Sequence, residues 1–129
     1  MPHFILEYTD NIKNDIHIES LLKKVNNLLI SYSTIIPIGG IRSRAIELNH
    51  YYIADGTEDD AFVHATLKIG NGRTENDKRE VSDKLFEMLQ SHFSELFSKR
   101  FLALSLELYE FNEFGTYKRN NIHQRYNKR

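Results

Sequence analysis

Ala61-Phe62-Val63-His64-Ala65-Thr66-Leu67-Lys68-Ile69-Gly70-Asn71-Gly72 is the stretch on which the fold turns. Its first nine residues alternate with the period of a strand, and the glycine pair ends it. Downstream, Thr74 reads as a helix N-cap, with Asp77 three residues on as a variant of the capping box. Val81, Leu85, Met88, Leu89, Phe93 and Leu96 then form the apolar face of one helix. A last strand, Leu102 to Phe111, puts Leu102, Leu104, Leu106 and Leu108 on one side. Upstream the same order appears once before. Pro2, Phe4, Leu6 and Tyr8 alternate with His3, Ile5 and Glu7, and Thr9-Asp10-Asn11 supplies a turn. Ile18, Leu21, Leu22, Val25, Leu28 and Leu29 mark a helix, Pro37 and Gly39-Gly40 end the connection, and roughly Ile41 to Asn49 reads as a second strand.

Strand–helix–strand is thus written twice, about 60 residues apart, as a βαβ unit over about 2–50 and another over about 61–111. Each crossover should be right-handed and bring its two strands parallel. The expectation is an α/β (α+β) domain, a four-stranded sheet with two helices on one face and a C-terminal arm over about 112–129. The other face would lie bare, yet the first and third strands carry apolar residues of both parities. Oligomerisation through the sheet resolves that conflict.

The chain has 129 residues, one domain by length, with an ordinary 40% hydrophobic and 27% charged residues. Without cysteine there is neither a disulfide nor a thiolate. No apolar run resembles a signal peptide or a membrane span, so a soluble cytoplasmic protein is expected. The net charge of −1 is uneven: Lys118, Arg119, Arg125, Lys128 and Arg129 lie in a terminal stretch without acids. The rest holds 12 cations against 18 acids. Such a body is a poor nucleic-acid binder, and arginines clustered within it acquire interest.

Pro2 stands at the mouth of the first strand. Proline beside the initiator normally permits removal of Met1, which leaves a secondary amine at the terminus. With Met1 retained, the same nitrogen is a tertiary amide of almost no basicity. The second repeat begins in mid-chain at Ala61, so one such amine exists per subunit. Arg42 opens the second strand in Gly40-Ile41-Arg42-Ser43-Arg44, and Arg73 follows Gly70-Asn71-Gly72 at the start of the second helix. A helix N-terminus attracts anions, and an arginine beside it adds a planar fork suited to a carboxylate. Taken singly, each has a plainer reading: Arg42 and Arg44 as solvated edge cations, the glycine pair as a tight turn, Pro2 as a common second residue. The combination of a terminal amine with two arginines at strand ends is what points to chemistry.

Other constellations fall away. The six histidines show no ligand spacing for zinc, the acidic run Asp55–Asp60 lacks the calcium-loop pattern, and there is no P-loop or dinucleotide fingerprint. His64, in mid-strand, reads as a packed or interface residue, and the basic tail as a solvated or subunit-bridging arm.

Pro2-His3-Phe4-Ile5, Asp10-Asn11-Ile12, Gly40-Ile41-Arg42-Ser43-Arg44, Ala54-Asp55-Gly56, Ala61-Phe62-Val63-His64 with Thr66-Leu67-Lys68-Ile69-Gly70, and Asn120-Asn121-Ile122-His123 together resemble the 5-carboxymethyl-2-hydroxymuconate isomerase family, within the tautomerase superfamily. The resemblance runs from Pro2 to about His123. It implies a homotrimer of double βαβ subunits without metal or cofactor, acting on a small carboxylate in the breakdown of the aromatic catabolite homoprotocatechuate. It carries over Pro2 as proton carrier, Arg42 and Arg73 as carboxylate binders, and Arg44 as a third candidate. A tautomerase of another unsaturated 2-oxo acid, and a non-catalytic trimeric dicarboxylate-binding protein, stay open beside it.

Overall fold

The computed structural model describes residues 2–126. Strands β1 (His3–Thr9), β2 (Arg42–Leu48), β3 (Ala61–Ile69) and β4 (Leu102–Glu110) form one sheet in the order β2-β1-β3-β4. β1 pairs with β2 and β3 with β4 in parallel, as two crossovers demand, and β1 meets β3 antiparallel at the centre. The repeats therefore run in opposite directions. Pro2 and Arg42 lie at one end of the sheet, and the starts of β3 and β4 at the other.

Helix α1 (Ile18–Ile30) buries Leu21, Val25 and Leu29, four residues apart, and α2 (Glu75–His92) buries Val81, Leu85 and Leu89 on the same spacing. Both stripes join one core with Phe4, Leu6 and Tyr8 of β1 and Val63, Ala65 and Leu67 of β3. The four leucines of β4 pack against that core from the edge, half-buried. Leu6 has no exposed surface. Truncating it to alanine would cost about 2–5 kcal/mol.

Two expectations need correction. The second helix is not continuous: Phe93, at φ −96° and ψ 8°, leaves the helical region and separates α2 from α3 (Ser94–Lys99). Its ring is buried edge-on against His92, so the break lets one aromatic side chain enter the core. The second of the two expected helices is thus carried by two segments, α2 and α3. The second strand begins at Arg42 rather than Ile41, because the Ile41 N–H closes a 3-10 turn (Ile38–Gly40) on the Ile38 carbonyl at 3.1 Å. Thr74 caps α2 as expected, its hydroxyl accepting from the Asp77 N–H at 3.1 Å.

Among the described residues, no helix covers the other sheet face. Across it run Arg42, His3, Lys68 and Tyr109 in one row, and Arg44, Ile5, Thr66 and Glu107 in the next. Ile46 on this face is 43% exposed. The arm beyond β4 adds Phe114 at 95% and Tyr117 at 92% exposure, then a second 3-10 turn (Ile122–Arg125). Lys128 and Arg129 of the basic tail lie outside the described residues.

Candidate active site

Pro2 is buried at the head of β1, and its carbonyl accepts from the Arg42 N–H at 3.0 Å. The β1–β3 pairing ends at His3–Lys68, so Pro2 and the Ile69–Gly70 segment lie at the same end of the sheet. That glycine holds the other arginine. Arg73 Nη1 donates to the Gly70 carbonyl at 2.9 Å and Nε to the Ile35 carbonyl at 2.8 Å, so two backbone oxygens fix the plane of its guanidinium. Of the turn's two glycines, Gly72 is the one its backbone conformation calls for. A Cβ on Gly70 would stand 3.4 Å from Arg73 Nη1, and Gly72 sits at φ +106°, in the region that favours glycine.

Arg42 is anchored in the same manner, with Nη1 donating to the Gly40 carbonyl at 2.9 Å. Neither arginine, nor Arg44, makes an ion pair with a carboxylate among the described residues. A guanidinium carries five N–H donors, so forks held by carbonyls alone still present donors to an anion. The structure brings Pro2, Arg42 and Arg73 to one end of the sheet. Arg44 stands further off, one row down on the open face.

Arg44 has a partner of its own there: its Nη1 donates to His3 Nδ1 at 3.0 Å. Burial, then the Arg44 and Arg42 guanidiniums, push the His3 imidazole below its ordinary value. His3 is thus neutral at pH 7 and serves Arg44 as an acceptor. The sequence reading passed over His3. It also passed over Lys68, exposed beside His3, and Phe111, whose ring meets His3 edge-on at 6.0 Å. Strand parity would have found His3 and Lys68 once the antiparallel register of β1 and β3 was known. Phe111 follows only from the arm's path.

The helix end contributes less than expected. Glu75 and Asp77 already occupy the first turn of α2, and Thr74 caps it. The charge available to an anion in this corner is therefore that of Arg73, the acidic first turn offsetting the dipole. Beside Arg73 opens a cleft of about 430 Å³, where Pro37, Gly70, Asn71, Phe111 and Thr116 surround Lys118 and one carboxylate, Glu113. It adjoins a hollow of about 500 Å³ on the open face, since Phe111 and Thr116 border both.

A larger cleft, about 650 Å³, lies at the opposite end of the sheet. Asp15, Glu58, Asp59, Asp60 and Glu95 line it against Lys99 and Arg100. That balance repels a polyanion, so size is a poor guide here and charge the better one. His64, on the open face, contacts Ser105 Oγ at 2.6 Å and Glu107 at 3.1 Å, which ties neighbouring strands together. No cluster of three or more metal-ligating side chains occurs among the described residues. No described helix is long and apolar enough to cross a membrane.

Comparison with known proteins gives this end of the sheet its context. The description of the 5-carboxymethyl-2-hydroxymuconate isomerase family matches residues 2–126. The chain is 42% identical over 123 residues to the Escherichia coli 5-carboxymethyl-2-hydroxymuconate Delta-isomerase, covering 95% of this chain and 97% of that one. The crystal structure of a 5-carboxymethyl-2-hydroxymuconate isomerase from Deinococcus radiodurans R1 superposes with a TM-score of 0.95 at 51% identity, over 98% of this chain and 95% of that one. A fused 4-OT symmetric trimer shares the fold at a TM-score of 0.61 and 13% identity, over 91% of this chain and 93% of that one. With both its sequence and its double βαβ architecture matched from end to end, the chain belongs to the 5-carboxymethyl-2-hydroxymuconate isomerase family.

Proposed function

We propose that the protein is an isomerase that ketonises 5-carboxymethyl-2-hydroxymuconate to its 2-oxo isomer, with Pro2 as proton carrier and Arg42 and Arg73 as carboxylate binders. The observation that carries this reading is the pair of arginines held on backbone carbonyls, without carboxylate partners among the described residues, at the end of the sheet where Pro2 is buried.

The chemistry needs a base and an acid of matched strength. An unperturbed terminal amine titrates at about 7.7–8.0. Burial of Pro2 and cationic neighbours both disfavour its charged form, which brings a free Pro2 amine towards the operating pH. The neutral amine takes the proton of the 2-hydroxyl group. Electrons shift along the diene as the 2-oxo group forms, and the ammonium returns the proton to the distal carbon. Negative charge builds at the 2-oxo-carboxylate end during the transfer, where one guanidinium stabilises it. The second guanidinium holds a remote carboxylate and so aligns the carbon that receives the proton. Arg44 stands as a third substrate-binding candidate, offered to the substrate from the open face.

The substrate is a tricarboxylate by its name, and the same end also presents Lys68 and Lys118, beside Glu110 and Glu113. We place the enzyme in aromatic-compound catabolism as a homotrimer in the cytoplasm. The helix-free sheet face with half-exposed Ile46, and the outward Phe114 and Tyr117 of the arm, supply the apolar surface that such an assembly would cover.

The test is the ultraviolet time course of 5-carboxymethyl-2-hydroxymuconate ketonisation, using untagged protein whose intact mass shows a Pro2 start. Isomerisation far above the spontaneous rate supports the assignment. No acceleration from protein with a free Pro2 amine overturns it, and leaves a tautomerase of another 2-oxo acid or a dicarboxylate binder.

A further inference from the structure

We infer that Asn120 is a positioning residue of the isomerase site, and that the C-terminal arm holds Arg42 and the head of β1 in register by clamping the Gly39–Gly40 turn. This inference rests on the function proposed above and extends it to a segment that reading leaves unused.

A continuous line of contacts joins the arm to Pro2. Asn120 Nδ2 donates to the Gly39 carbonyl at 2.8 Å, while its Oδ1 accepts from the Ile122 N–H at 2.8 Å. One side chain therefore closes the arm's own turn and grips the turn at residues 38–40. The next carbonyl, that of Gly40, accepts from Arg42 Nη1 at 2.9 Å. The Arg42 N–H in turn donates to Pro2 at 3.0 Å. Asn120 is thus one peptide unit from the carbonyl that orients a substrate-binding guanidinium, and two hydrogen bonds from the proton carrier.

The turn needs such a clamp. Two adjacent glycines carry the largest conformational entropy of any residues, and this 3-10 turn has no side-chain cap. Both glycines are buried nonetheless. Gly39 is required by close approach: a Cβ there would stand 2.9 Å from the backbone N and Cα of His123. Arm and turn therefore fit backbone against side-chain-free backbone, and Asn120 supplies the polar link. Asn120 touches no part of the cleft beside Arg73, so its effect must pass through the turn.

The experiment compares Asn120→Asp and Asn120→Ala with wild type in the ketonisation assay, alone and in an Arg42→Ala background. Aspartate keeps the acceptor for Ile122 but loses the donor to Gly39. The expected result is a KM raised about tenfold with a smaller loss in kcat. Added to Arg42→Ala, Asn120→Asp should cost little more, because both act on the same guanidinium. Additive losses, or unchanged kinetics in a folded variant, overturn the inference. Asn121→Ala, on the exposed neighbour, is the control and leaves the kinetics unchanged.

Amide hydrogen exchange gives a readout independent of turnover. Loss of the clamp should speed exchange at Ile41 and Arg42 while β3 stays protected. Unchanged exchange at those amides in Asn120→Asp refutes the clamp even if the muconate is the wrong substrate. Faster exchange in a protein without isomerase activity upholds the clamp and rejects the function instead.

Discussion

The two ends of the sheet use the same parts to opposite effect. Each has an arginine tied to backbone carbonyls near the start of a repeat. At the far end, Arg100 reaches the carbonyls of Asn11 and Asp59, and then pairs with the Asp59 carboxylate at 3.1 Å. Around it Asp10 accepts from Tyr51 at 2.7 Å and from Asn49 at 3.1 Å, and Asn11 grips Asp59 and Asp60. Charge there is consumed in holding the 49–60 loop. At the Pro2 end, Arg42 and Arg73 take the same carbonyl anchors but meet no carboxylate among the described residues. On the function proposed above, an anchored guanidinium with a carboxylate is structure, and one without is the candidate receptor for a carboxylate brought from outside.

The sharpest way to break this contrast is Pro2→Ala, which changes the amine without touching charge. Turnover should fall by about 10²-fold or more, with thermal unfolding unchanged. Arg73→Ala comes next, with kcat/KM reduced by roughly 10–100-fold in steady-state assays and the assembly intact by light scattering. Arg100→Ala should show the reverse. It removes about 2 kcal/mol from stability in urea titrations, through lost charge-assisted bonds at a mostly buried side chain, and leaves kcat/KM alone. Loss of activity there with full stability would erase the distinction between the ends.

The smallest effect is on pH. His3 titrates below its ordinary value in the folded chain, as does His92 through its burial. A depressed histidine favours folding fully above its unfolded value of about 6.5, and that contribution is lost as pH falls through the folded value. Melting temperature should therefore decline from pH 7.5 to 5.5, and less steeply in His3→Gln.

How much of this was written in the chain differs by element. Ala61–Ile69 showed both its limits, because alternation and the glycine turn bound it on either side. The leucines of β4 and the faces of α1 and α2 were equally plain. Phe93 hid its break, since its spacing continued the apolar face and only packing moved it off the helix. Pro2, Arg42 and Arg73 were legible by their places at strand ends. What holds them was not: the Ile35 carbonyl on Arg73, His3 behind Arg44, and Asn120 over Gly39 depend on contacts 38 to 81 residues apart in sequence. No local pattern encodes such pairs.

The strand order has a consequence for how the protein comes off the ribosome. β1 precedes every other strand in the chain yet occupies the interior of the sheet, between β2 and β3. Its β2 side finds hydrogen-bond partners once residue 48 has been made, its other side only after residue 69. The nascent chain thus carries an open strand edge from residue 9 to residue 69, nearly half of its synthesis, the condition under which edge-to-edge association is most tempting. Chaperone capacity and translation speed should therefore govern the yield of active protein more than the stability of the finished sheet does.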